Sequence, residues 1–133
     1  VAKKKHILVM EQPPRSFIGI ASNQRAWEVA SHLNKSLALD LMLNTNSYEG
    51  FSLASIYEDD GSKLDYEVLF FEADPMPSKA PKKAKPFRFW LVLTPKNAAA
   101  IDLQPILTKV KSATSVSLAV DFTLEKDIHY ILP

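Results

Sequence analysis

Residues 51–70 read FSLASIYEDDGSKLDYEVLF. Before Asp60-Gly61, Phe51, Leu53, Ser55 and Tyr57 alternate with Ser52, Ala54 and Ile56; after it, Leu64, Tyr66, Val68 and Phe70 alternate with Asp65, Glu67 and Leu69. A side-chain period of two belongs to a pleated strand, whose successive residues point to opposite faces. Asp-Gly between two such runs marks a hairpin, because glycine accepts the positive φ of a tight turn. The stretch therefore predicts an antiparallel strand pair, and with it a sheet at the centre of the fold.

Downstream, residues 87–94 read FRFWLVLT, in which Phe87, Phe89, Leu91 and Leu93 alternate with Arg88, Trp90, Val92 and Thr94, a third strand of the meander. A helix is predicted next, with Leu103, Ile106, Leu107 and Val110 on one face, Asp102 as its cap and Pro105 in the first turn, where a missing N–H costs little. Val116 to Phe122 alternates again, and Ile128 to Leu132 reads as a last strand or an extended tail. Upstream, His6 to Met10 and Phe17 to Ala21 are short apolar strands separated by Pro13-Pro14. Ser22 or Asn23 then caps a helix whose Ala26, Ala30, Leu33 and Leu37 form one stripe flanked by Trp27. Leu39 to Leu43 fits either a continuation of that helix or a short strand.

The order β-β-α-β-β-β-α-β predicts an α+β two-layer sandwich, an antiparallel or mixed sheet with both helices on one face. At 133 residues and 47% hydrophobic content, the chain matches a single domain spanning 1–133. Leu64, Tyr66, Val68 and Phe70 are expected to meet Phe89, Leu91 and Leu93 beneath the helices. On the other face Asp65 and Glu67 are polar, but Leu69, Phe71, Trp90 and Val92 are not. That end is expected to stand uncovered as a partner-binding patch for a second copy or another protein. Burying these side chains contributes on the order of 5–10 kcal/mol before association entropy is subtracted.

Between the second and third strands lies a loop at 74–86, DPMPSKAPKKAKP, with four prolines, four lysines and Met76 as its sizeable apolar residue. Such a composition buries little and predicts a solvated basic arm. Lys79, Lys82, Lys83 and Lys85, with Arg88 and the aromatics Phe87, Phe89 and Trp90 beside them, resemble the lysine-plus-ring composition that holds single-stranded nucleic acid. Weak nucleic-acid binding is thus an alternative to protein association. The whole chain has 16 Lys plus Arg against 15 Asp plus Glu, so any basic recognition is local.

Catalytic signatures are missing. Gly19, Gly50 and Gly61 are the only glycines and do not cluster, which excludes a phosphate-cradling loop and a dinucleotide fingerprint. There is no cysteine, and His6, His32 and His129 fall in different elements with no metal-ligand spacing. No GxSxG surrounds Ser22. Glu58, Asp59, Asp60 and Asp65 gather at the hairpin tip without the spacing of a calcium loop, and nothing marks Asp65 and Glu67 as an acid/base pair. No cofactor and no metal is expected. A small-ligand module or enzyme using Arg25, Glu28 and His32, which share a helical face, ranks behind both binding readings. The start, VAKKKHILVMEQPP, reads as a strand rather than a signal peptide, no run has the length of a membrane span, and a cytoplasmic protein is expected.

The segment FIGIASNQRAWEVASHLNKSLAL, Phe17 to Leu39, resembles the N-terminal region of the bacterial IPExxxVDY family through Ile18-Gly19-Ile20, Trp27 and Leu33-Asn34-Lys35. The order that follows, from aromatic hairpin to final helix, is also similar and covers most of the chain. The naming motif is absent: Ala80-Pro81-Lys82-Lys83 and Phe87-Arg88-Phe89 keep a proline and the aromatics but lack the Glu and the Asp. The resemblance implies a bacterial cytoplasmic protein and transfers no catalytic residue.

Overall fold

Six strands pair into one antiparallel sheet in the order β2-β3-β4-β5-β1-β6. They are β1 (Ser16–Ala21), β2 (Met42–Leu43), β3 (Ile56–Asp59), β4 (Tyr66–Glu72), β5 (Phe89–Pro95) and β6 (Leu118–Asp121); α1 (Ala26–Leu37) follows β1, and α2 (Leu103–Ser112) follows β5. The computed structural model describes residues 14–43, 56–73, 76–97 and 101–132. The expected strand at His6 to Met10 and the first half of the hairpin's leading strand, Phe51 to Ser55, lie outside them.

The α+β class and the hairpin pairing are as the alternation predicts. Ile56 sits opposite Phe71 and Asp59 opposite Val68, joined by a loop at 60–65 that is longer than a two-residue turn. Gly61 takes φ +71°, and a Cβ there would lie 2.2 Å from the Tyr66 carbonyl oxygen, so only glycine fits. The β4–β5 register sets Val68 against Leu93 and Phe70 against Leu91 on the helix side. These residues join Ile18, Ile20, Phe89 and the buried stripe Ala26, Val29, Ala30, Leu33 and Leu37 of α1 in one core, to which α2 adds Leu107 and Val110. Trp27, flanking the stripe, stays outside the core at 59% exposure.

α1 begins at Arg25 in extended conformation; Ser22 accepts the Gln24 N–H at 3.0 Å and shapes the preceding turn rather than capping the helix. Its end is set by Ala38 in the left-handed region, φ 54°, with the Leu39 N–H donating back to the Asn34 carbonyl. Asn34 then fixes Leu41 through both its backbone groups, and Leu39 to Leu43 turns out to end as the short edge strand β2, paired with β3.

The second sheet face differs from the sequence expectation. Phe71, Trp90 and Val92 are 2%, 0% and 2% exposed, and Leu69 packs against the same group half-buried. Their cover comes from two irregular segments of the same chain. Residues 76–88 contribute Ala80, Ala84 and Phe87; the tail contributes Phe122, Ile128 and Ile131. The proposed partner patch is therefore corrected to a second core inside the monomer. The predicted solvated arm is likewise corrected to a lid carrying a 3-10 turn at Lys82–Ala84, and Ile128–Ile131 forms another 3-10 turn in place of a strand.

Composition misled because the lid buries alanines and one phenylalanine, not a run of large residues. Phe87 also breaks the alternation expected of it: it lies with Trp90 on the second face rather than with Phe89 on the first. The Trp90 indole N–H donates to the Phe87 carbonyl at 3.0 Å, so the largest buried ring leaves no orphan donor. Rings of Phe87, Trp90 and Phe122 meet edge-on or tilted with centroids 5.2–6.3 Å apart. All three converge on Gly19 of β1, where an added Cβ would stand 3.0 Å from each.

Gly19→Ala is expected to cost about 1–3 kcal/mol by overpacking, read as a lower urea midpoint at unchanged slope. Trp90→Glu is expected to unfold the domain instead of yielding a soluble variant, because it buries an unpaired charge; circular dichroism distinguishes the two results.

Candidate functional site

Residues 76–88 contain five cations and no acid. Their outward display follows from local hydrogen bonding. Ala80 N–H donates to Pro77, Ala84 to Pro81, Lys85 to Lys82 and Phe87 to Ala84, a run of i to i−3 bonds started by prolines whose φ is preset. Ala80 and Ala84 have side chains short enough for the backbone to lie close on the sheet. Burying them together with Phe87 leaves Lys79, Lys82, Lys83 and Lys85 exposed on the outer side of the lid, a basic ridge in the sense that its charged side chains are all in solvent.

Two contacts define its ends. Lys79 Nζ lies 5.5 Å from the centroid of Tyr130, which is 40% exposed, and the exposed His129 ring packs on Tyr130 with centroids 4.2 Å apart. At the other end, Arg88 does not join the ridge. Its Nε is 2.8 Å from a Glu72 carboxylate oxygen in an ion pair too poorly aligned for a hydrogen bond, its NηH donates to the Gln24 carbonyl at 2.9 Å, and its guanidinium lies over Phe89. Arg88 ties the lid's end to the start of α1. The basic set proposed from sequence thus divides into four available lysines and one structural arginine, while Phe87, Phe89 and Trp90, the rings expected beside them, are buried. The exposed rings are instead His129 and Tyr130. They are distant in sequence, and only the 3-10 fold of the tail brings them to Lys79.

The residues considered for catalysis do not assemble. His32 Nδ1 hydrogen-bonds Ser115 Oγ, and Ser115 is 6% exposed, so this pair clamps α1 to the turn after α2 and presents no accessible nucleophile. Glu28 is oriented towards the Arg25 backbone N–H at 3.5 Å. At the hairpin tip, Asp59 accepts the backbone N–H of Asp40 at 2.7 Å and of Gly61 at 2.8 Å, while Asp60 accepts that of Ser62. Two of the tip acids are thus engaged in holding loops. Lys96 also hydrogen-bonds the Gly61 carbonyl. Among the described residues no group of three acids or histidines is placed to hold a metal ion, and no helix is long and apolar enough to cross a membrane.

An open groove lies near the tip, with Leu69, Val92 and Leu132 among its apolar walls and Asp40, Glu58 and Glu67 among its polar ones. Leu69, half-buried, and Val92, almost fully buried, are the residues of the expected patch that border this opening. With Phe71 and Trp90 sealed away, the groove offers no aromatic platform. The family models, curated proteins and solved structures compared with this chain include no match.

Burial raises the pKa of Tyr66 above its ordinary 10.0, helped by the negative charges of Asp59 and Asp65; burial alone raises that of Tyr57. The unfolded chain therefore loses these protons at lower pH than the folded one. Their contribution is complete below about pH 10 and is lost as pH rises from there through the higher folded values. Tyr66→Phe is expected to flatten the alkaline fall in urea stability; an unchanged fall above pH 10 would contradict the assignment.

Proposed function

We propose that this domain is a non-enzymatic interaction module whose contact surface is the ridge of Lys79, Lys82, Lys83 and Lys85, and whose partner is a polyanion. The supporting observation is that four lysines stand on an ordered platform whose own segment contains no acid. An unfolded arm with the same charges loses conformational entropy on binding, whereas a ridge already fixed by buried Ala80, Ala84 and Phe87 loses much less. Four like charges within seven residues also raise the local positive potential, which an anionic partner neutralises.

Association through Leu69, Phe71, Trp90 and Val92 has no part in this reading, since three of the four are inside the monomer. The resemblance of Phe17 to Leu39 to the IPExxxVDY family makes a bacterial cytoplasmic setting part of the proposal without supplying a site.

Heparin serves as a generic polyanion for the test. Wild type is expected to be retained on it and released by salt, and Lys82→Glu with Lys83→Glu to elute markedly earlier. Both exchanges are at exposed positions and should shift stability by no more than about 0.5 kcal/mol. No retention of wild type, or equal elution of wild type and variant, would contradict the proposal.

A further inference from the structure

The ridge ends at a feature that charge alone does not use. His129 and Tyr130 form an exposed pair of rings, centroids 4.2 Å apart and inclined at 36°, with the Lys79 ammonium 5.5 Å from the Tyr130 centroid. Ile128 and Ile131 are buried on either side at 5% and 1% exposure, so the two rings are held outward by anchors on both flanks. The ring faces left open are available to a flat ligand, and the Lys79 ammonium stands beside them.

Resting on the polyanion reading above, we infer that the partner is single-stranded nucleic acid, with phosphates along Lys79, Lys82, Lys83 and Lys85 and a base stacked on the His129–Tyr130 pair. Flexible single strands offer both negative charge at each nucleotide and unpaired base faces, the two chemistries placed side by side here. A duplex hides its base faces, and an acidic peptide has none, so for either one the ring pair would be idle. The tail carries Glu125, Lys126 and Asp127 before the ring pair, a net charge of −1, so the phosphate contacts are assigned to segment 76–88, which is free of acids. The Glu72 carboxylate is held by Arg88.

The neutralisation of four phosphates fixes the salt response. For a single strand each contributes about 0.7, so log K against log[salt] should fall with a slope near −3. Removing the stacked ring is expected to weaken binding about 5- to 150-fold, the range for loss of one base–aromatic stack, with little change in slope. Lys82→Glu with Lys83→Glu should weaken binding and also make the slope shallower by about 1.4.

Fluorescence anisotropy of labelled oligothymidylate, the corresponding duplex and poly-glutamate, each titrated with the full chain, separates the outcomes. The expected result is tightest binding of oligothymidylate, weakened by His129→Ala with Tyr130→Ala and retained by Tyr130→Phe, which keeps the ring. Poly-glutamate or duplex binding as tightly as oligothymidylate, or the double alanine variant binding like wild type while still folded, would overturn the nucleic-acid inference and leave the polyanion reading standing. Binding of none of the probes at low salt would overturn both.

Discussion

The rings of Trp90, Phe87 and Phe122 meet over the bare backbone of Gly19, and the second core of the sheet is built around that meeting point. A six-stranded sheet with two helices on one side leaves an apolar face that must be covered or shared. The missing side chain at position 19 leaves room for the edge of the indole, and the rings of Phe87 and Phe122 pack against that indole over the same spot. Those two residues bring in the lid and the tail. The Phe122 N–H donates to the Phe17 carbonyl at 2.8 Å, and the Phe17 N–H donates to Thr123 at 3.2 Å, so the tail is tied to the same strand that carries Gly19.

One consequence is that a single segment has two chemically opposed sides. Within 76–88, the alanines and Phe87 face the sheet while the lysines face water. Sealing the face and displaying the charges are one structural act: burying Ala80, Ala84 and Phe87 against Trp90 leaves the lysines between them in solvent. Arg88 and Glu72 fasten its end, an ion pair whose half-exposed position makes it a locator more than a source of stability.

The sheet was largely legible in the chain because alternation is a strong signal. Val68, Phe70, Phe89, Leu91 and Leu93 are where a period of two puts them, and Leu33 and Leu37 where a period near 3.6 does. The second face was not, for a physical reason. Its cover is built from 3-10 turns, which have no long-range side-chain period, and from alanines, which carry little hydrophobic signal singly but bury completely when backbone lies flat on a sheet. Phe87 looked like one more member of an alternating strand, yet the strand begins only at Phe89. The candidate site shares this division. Its lysines are evident from composition, whereas the ring pair beside them depends on a tail that folds back from far along the sequence, as does the His32–Ser115 clamp.

The sealed second face can be measured through Trp90 itself, because Trp27, the other tryptophan, is largely exposed and a Trp27→Phe variant leaves a single indole. In the folded variant at high dilution, Trp90 should emit at the short wavelengths of a dry, apolar site and resist quenching by acrylamide until the protein unfolds. Emission at the wavelength of hydrated indole, readily quenched while circular dichroism still reports a folded chain, would mean that the lid and tail do not cover the sheet and that the lysines are not held as described.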